Sequence, residues 1–162
     1  MAWGRSRKLA EAGQRAPEFV LNRLGGGSVS LQEVAASGPA LLAFFKVSCP
    51  VCQFTLPYLD RIHSPGRLTV YGISQNGEAD TRKFNEHFGV TFPTLLDSED
   101  NQFQASDAYG ISSVPTLFLV ETDGTISHVA EGWQKSEIAH LAGLSGTNPF
   151  QGSDHVPEWK AG

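Results

Sequence analysis

Cys49 and Cys52 are the only cysteines among 162 residues, and just Pro50 and Val51 separate them. Two cysteines cannot hold a disulfide-rich scaffold together, nor can they complete a four-ligand zinc site within one chain. At this spacing they can close a small disulfide ring and open it again. An apolar run from Ala40 to Val47 leads straight into the pair. Cys52, Leu56, Leu59 and Ile62 then recur at helical spacing. This context puts Cys49 at a helix N-terminus, with Pro50 at the first helical position. Free N–H groups and the helix dipole favour an anion there, so the sulfur best placed to be a thiolate is that of Cys49. The thiolate is the attacking species in disulfide exchange. Cys49 is therefore the expected nucleophile. Cys52, one turn on and less exposed, is expected to resolve the mixed disulfide.

The elements that position the pair follow from periodicity. Ala16–Leu21 and Val29–Leu31 flank Gly25-Gly26-Gly27 and read as an N-terminal hairpin, followed by a helical turn over Leu31–Val34. Ala40–Val47 is nearly all apolar, the pattern of a strand covered on both faces. The helix after Cys49 contains Pro57 and stops at Ser64-Pro65-Gly66. Leu68–Ser74, Thr94–Leu96 and Thr116–Val120 read as further strands. Glu78–Phe88 and Asn101–Tyr109 read as helices, stopped by Gly89 and Gly110. Asp123-Gly124 turns the chain into a strand over Thr125–Ala130. Ser136 is the expected N-cap of a last helix carrying Ile138, Leu141 and Leu144. Strands alternating with helices predict an α/β fold with parallel pairs in a central sheet.

Three segments are expected: a solvated N-terminal arm over 1–15, one domain over 16–144, and a tail over 145–162. The tail is rich in Gly, Ser and Pro, and Phe150 and Trp159 are its candidate pins. Hydrophobic residues make up 40 % of the chain, enough for a core. The formal charge is −5, from 12 Lys and Arg against 17 Asp and Glu, which argues against a nucleic-acid partner. No apolar run approaches the ~20 residues of a membrane span. Met1–Arg15 is basic but lacks the apolar core of a secretory signal. The expected location is therefore cytoplasmic, or extracytoplasmic if an upstream signal or anchor was removed. His63, His87, His128, His140 and His155 are scattered without paired spacing, so no metal site is expected.

Val114-Pro115-Thr116 precedes the strand that ends at Val120. A proline there is either an ordinary strand-start residue or a cis peptide that brings the backbone close to a neighbouring site.

Together these residues resemble the thioredoxin superfamily. The resemblance is carried by Leu41–Val47, Cys49-Pro50-Val51-Cys52, Val114-Pro115-Thr116, Asp123-Gly124 and Gly132. The opening Ala16–Leu21 is similar to the branch of TlpA-like and ResA-like thiol-disulfide oxidoreductases and of AhpC/TSA peroxiredoxins. The resemblance spans about residues 16–144. It implies a three-layer α/β/α sandwich with a mixed sheet, an N-terminal β-hairpin and an inserted β–α element. It also implies a cis Pro115 beside the Cys49 sulfur and a Val114 backbone that pairs with an extended substrate segment. Thr116 and Gly132 would line the same groove, and Trp133 would either contact a substrate there or sit as a half-buried aromatic at a helix start. Three positions depart from the thioredoxin pattern. Ala43 stands where a buried Asp is usual, and Ser48 where Trp is usual. Lys46 stands where a cation could support the thiolate, although a solvent-facing lysine fits the position better.

The implied activity is exchange of disulfides with protein substrates. The Cys49–Cys52 disulfide is the sole redox group, with no separate cofactor, and the expected state is a monomer that relays electrons to a separate redox protein. A thiol peroxidase is the alternative. Its motif wants Pro and Thr or Ser seven and three residues before the reactive Cys, but Leu42 and Lys46 precede Cys49 there, and Phe45 and Cys49 precede Cys52. A Sco-like metal chaperone would need two cysteines one residue further apart, plus a distant His.

Overall fold

The computed structural model describes residues 8–162. A seven-stranded sheet forms its middle layer, in the order β2-β1-β5-β4-β3-β6-β7. The strands are β1 (Val20–Arg23), β2 (Ser28–Ser30), β3 (Ala40–Phe45), β4 (Thr69–Ser74), β5 (Thr94–Leu96), β6 (Thr116–Val120) and β7 (Ile126–Glu131). β3 runs parallel to β4, and β4 to β5. β6 is antiparallel to both β3 and β7, so the sheet is mixed. The helices are α1 (Leu31–Ala36), α2 (Pro50–Ile62), α3 (Glu78–Phe88), α4 (Gln104–Tyr109) and α5 (Lys135–Ser145).

β3 is the centre because all six of its residues are buried. Their alternation serves two layers. Phe45 meets Phe84 of α3, with ring centroids 5.1 Å apart. α2 packs against α3 and α5 on that side. Phe44 points the other way, to Tyr109 at the end of α4 (5.2 Å), and Phe19 adds to the same aromatic group. Each large apolar side chain so buried contributes roughly 1.5–3 kcal/mol. The strand that leads into Cys49 is thus held from both faces.

Local signals account for most element ends. Ser30 caps α1 with its hydroxyl on the Glu33 N–H, while Glu33 reaches back to the Ser30 N–H, a complete capping box. The hairpin expected from Ala16–Leu21 and Val29–Leu31 is β1–β2. Three expectations need correction. The helix expected over Asn101–Tyr109 is split: Glu99–Asn101 is a 3-10 turn, Gln102 and Phe103 are left-handed, and α4 begins at Gln104. The cause is the buried Asp97 carboxylate, which accepts the Ala105 and Ser106 N–H groups, the Ser106 hydroxyl and the Asn101 amide. α5 starts at Lys135, and its N-cap is Gln134 rather than Ser136. Leu144 lies exposed, while Ile138, Leu141 and Ala142 form the buried face.

Residues 1–7 of the expected arm lie outside the described residues. From Lys8 on, side chains other than Ala10 are largely exposed but the backbone is tied down. The Ala10 N–H donates to the Tyr109 carbonyl, the Gly13 N–H to the Ile126 carbonyl and the Ile126 N–H to the Gln14 carbonyl. The tail also lies on the body. Its β9 (Trp159–Lys160) pairs antiparallel with β8 (Trp133–Gln134) in a second, two-stranded sheet.

Candidate active site

Cys49 is the N-cap of α2, in an extended conformation, and Pro50 takes the first helical position. The Cys49 sulfur accepts the Cys52 N–H at 3.2 Å. It also lies 3.4 Å from the Val114 carbonyl oxygen, to which its thiol donates. A helix-end donor and a nearby acceptor thus face one sulfur. As a thiol, Cys49 satisfies the carbonyl; as a thiolate, it keeps the N–H bond and is drawn by the helix dipole.

Cys52 is fully buried and Cys49 is half-exposed. Burial pushes the Cys52 thiol far above its ordinary range, and its hydrogen bond to Cys49 adds to the effect. The only group opposing this is Lys46, through its backbone and its charge. The two sulfurs therefore divide the work. One is presented at a helix end to an incoming disulfide, and the other is kept protonated until the first has reacted. Ala43 is buried in β3 and brings no carboxylate toward the pair.

The loop between β3 and α2 is held by residues that the sequence did not point to. The Asn76 amide oxygen accepts the Val47 N–H at 3.0 Å, and the Gln53 amide donates to the Val47 carbonyl at 3.0 Å. Asn76 is itself set by Ser74, whose hydroxyl accepts the Asn76 N–H and shares a 2.7 Å bond with Thr81. A single Asn and a single Gln carry no spacing signal. Only the parallel pairing of β3 with β4, which places the ends of these strands side by side, brings Asn76 to Val47.

The Val114–Pro115 peptide is cis. The Thr116 hydroxyl donates to the Ser113 carbonyl at 2.8 Å, and the Gly132 N–H donates to the Pro115 carbonyl at 2.8 Å. Lys46 and Ser48 are exposed, as is Pro50, and Val51 is half-buried. Lys46 reaches a cleft of about 320 Å³ together with Gln75, Asn76, Phe103, Ile111 and Val114.

All five expected groove residues are buried, Val114, Pro115 and Thr116 among them, and two are closed off by the tail. Trp133 is fully buried against Phe54 and Tyr58, with centroids 4.8 and 5.1 Å away, and its Nε1–H donates to the Pro157 carbonyl. Gly132 is buried as well, under the carbonyl of Lys160. In both cases the cover is the tail. Among the described residues, no three His, Cys, Asp or Glu side chains form a cluster that could hold a metal ion. No helix among them is long and apolar enough to cross a membrane.

Comparison with known proteins agrees with this geometry. The model of the AhpC/TSA family matches residues 12–129. The thiol-disulfide oxidoreductase ResA of Halalkalibacterium halodurans is 32 % identical over 136 residues, covering 82 % of this chain and 75 % of the relative. ResA of Bacillus subtilis is 29 % identical over 133 residues, covering 79 % and 72 %. Among solved structures, the thioredoxin domain of a thiol-disulfide oxidoreductase from Bacteroides vulgatus superimposes with a TM-score of 0.71 at 23 % identity, covering 86 % of this chain and 99 % of that one. A peroxidoxin from Mycobacterium tuberculosis superimposes with a TM-score of 0.67 at 19 % identity, covering 83 % and 95 %. The fold is therefore the thioredoxin-like α/β sandwich, and it is shared by exchange enzymes and peroxidases alike.

Proposed function

The chain belongs to the AhpC/TSA family, and from that membership together with its cysteine geometry we propose that it is a thiol-disulfide oxidoreductase of the ResA-like kind. One observation carries the reading: the Cys49 sulfur sits at the N-cap of α2, accepts the Cys52 N–H, and lies 3.4 Å from the Val114 carbonyl beside Pro115.

The steps balance within the dithiol and its substrate. The Cys49 thiolate attacks one sulfur of a substrate disulfide. That S–S bond breaks, a mixed disulfide forms, and the first substrate sulfur leaves as a thiolate. Cys52 then gives up its proton to the departing thiolate or to water and attacks the Cys49 sulfur. The mixed disulfide breaks, the Cys49–Cys52 disulfide forms and the second substrate sulfur leaves. Two electrons have passed from the protein to the substrate. Run backwards, the same steps oxidise a dithiol, and the potential of the compartment sets the direction. The electron pair is held in the cysteine disulfide, so the exchange calls for no separate cofactor.

Protein disulfides and dithiols are the substrate class. A backbone edge at Val114 fits an extended segment and reads little of its sequence. These 162 residues hold no third cysteine, so reset of the pair falls to a separate redox protein. The protein acts as a monomer in this reading. Pro50, Val51, Ser48 and Lys46 shape the approach to Cys49, and Thr116 holds the Pro115 loop.

Trapping tests the reading. Cys52→Ser should accumulate a mixed disulfide with a protein substrate on non-reducing gels, and Cys49→Ser should not. If Cys52→Ser traps nothing, and the reduced wild type reduces neither insulin nor a small aromatic disulfide, the reading fails.

A further inference from the structure

The segment from Pro157 to Gly162 packs along residues 132–135 and reaches the backbone of Val114 and Pro115. It is held largely by backbone. β9 pairs with β8, with Lys160 opposite Trp133 and Trp159 opposite Gln134. The Lys135 N–H donates to the Glu158 carbonyl, and Trp133 Nε1–H donates to the Pro157 carbonyl. At Lys160, in β9, the chain passes so close to Gly132 that a side chain on Gly132 would overlap the Lys160 carbonyl. Gly132 has φ +71, a left-handed conformation that glycine accommodates freely. Two residues later a side chain on Gly162 would overlap the Val114 carbonyl and crowd the Pro115 nitrogen. That carbonyl is the one 3.4 Å from the Cys49 sulfur.

We infer that residues 157–162 act as a built-in occupant of the peptide groove, which sets the enzyme's specificity by competing with extended protein segments for the Val114 edge. The inference rests on the oxidoreductase reading and deepens it. The occupant has the form the groove suits: an extended segment, pairing by main chain, delivered to the backbone ahead of Pro115. The cleft lined by Lys46, Phe103, Ile111 and Val114 includes no strap residue, and Cys49 stays half-exposed while the strap is packed. A small disulfide can therefore reach the half-exposed sulfur with the strap in place. A protein segment that needs the Val114 edge must wait for the strap to lift. Its apparent affinity is lowered by the fraction of molecules in which the strap is open, and the strap, being tethered, competes at high effective concentration.

The deciding variant is Gly162→Val in the full chain. It adds bulk against the Val114 carbonyl and leaves the cover over Trp133 in place. A second variant removes residues 157–162. Each is assayed, after full reduction, for reduction of insulin and for reaction with a small aromatic disulfide. We expect kcat/KM for insulin to rise about tenfold or more, as for a strap open in about a tenth of molecules. We expect the small-disulfide rate to change less than about twofold. Equal gains on both substrates overturn the inference, because the strap would then merely shield the sulfur. So does an unchanged insulin rate in Gly162→Val. If no form of the protein, wild type included, reacts with the small disulfide, the oxidoreductase reading itself fails, and the strap's role with it.

Discussion

The two walls around Cys49 are built by opposite means. One wall is a single run of chain, β3 into α2, in which strand, sulfur and helix follow one another from Ala40 to Ile62. The other is assembled from three distant pieces: Val114–Pro115, Gly132–Trp133 and Pro157–Gly162. In the first wall, chemistry is a consequence of neighbours in sequence, since a helix that begins at Pro50 must present the sulfur of Cys49 at its end. In the second, each piece is placed by contacts more than ten residues away. The comparison separates two properties of the site. The reactivity of Cys49 is local, and its accessibility is not.

The first wall breaks with the largest effect. Cys49→Ser removes the sulfur that attacks, and turnover of any disulfide should fall by about 10³-fold or more, since the thiolate is the nucleophile. Cys52→Ser should also abolish multiple turnover but retain the first step, seen as one equivalent of mixed disulfide by mass spectrometry. If Cys49→Ser instead kept exchange and Cys52→Ser lost the first step, the assignment of roles along α2 would be reversed.

This contrast also decides what was legible. β3, α2 and the place of Cys49 at a helix start are legible in short signals, an apolar run and a Cys-Pro step, whereas the cis Pro115 follows only from the family resemblance. Asn76 and Gln53 escaped because each is a single amide whose partner, Val47, is set by strand pairing or a helix turn rather than by a motif. Asp97 escaped for the same reason; an aspartate before Ser98 reads as a loop residue until the loop folds back over it. For Trp133 the sequence leaves a groove contact and a half-buried aromatic both open, and its full burial goes further than either. The cause lies in the tail: Pro157, Trp159 and Lys160 carry no periodicity that would announce a two-residue strand, yet they complete the cover over the indole.

The second wall breaks with the next largest effect. Trp133 fills the space between α2 and the tail, touching Phe54, Tyr58 and Phe150, and hydrogen-bonds Pro157. Trp133→Ala should cost about 3–5 kcal/mol of stability, from lost burial and the cavity left behind. At this chain length that lowers Tm by roughly 6–20 °C, readable by calorimetry. A fall of only one or two degrees would mean that the tail is not packed on Trp133 in solution.

A third test sets the buried sulfur of the first wall against pH. The folded protein holds the Cys52 proton to higher pH than the unfolded chain, whose thiol titrates near 9.0. The resulting stability is fully present below that value and declines as pH rises above it, by at most about 1.4 kcal/mol per pH unit. Urea unfolding of the reduced protein should show a steeper loss between pH 9 and pH 10.5 than Cys52→Ala does. Tyr109, also pushed up by burial, declines in both proteins and cancels in the difference. Parallel curves would place Cys52 in water rather than in the core.

The smallest effect belongs to the charges on the second wall. Lys135 and Glu158 approach to 3.7 Å, but the Glu158 side chain is 84 % exposed. A pair so open to solvent is screened and contributes little. A main-chain bond from Lys135, the Trp133 indole N–H on the Pro157 carbonyl, and the β8–β9 pairing hold the strap instead. Glu158→Ala keeps every one of those groups. It should shift Tm by less than about 2 °C and change insulin reduction by less than about twofold, in 10 mM and in 200 mM salt alike. A large, salt-sensitive gain in activity would show that the strap is held by charge. The two walls would then differ in chemistry as well as in construction, because the second could be opened by ionic strength alone.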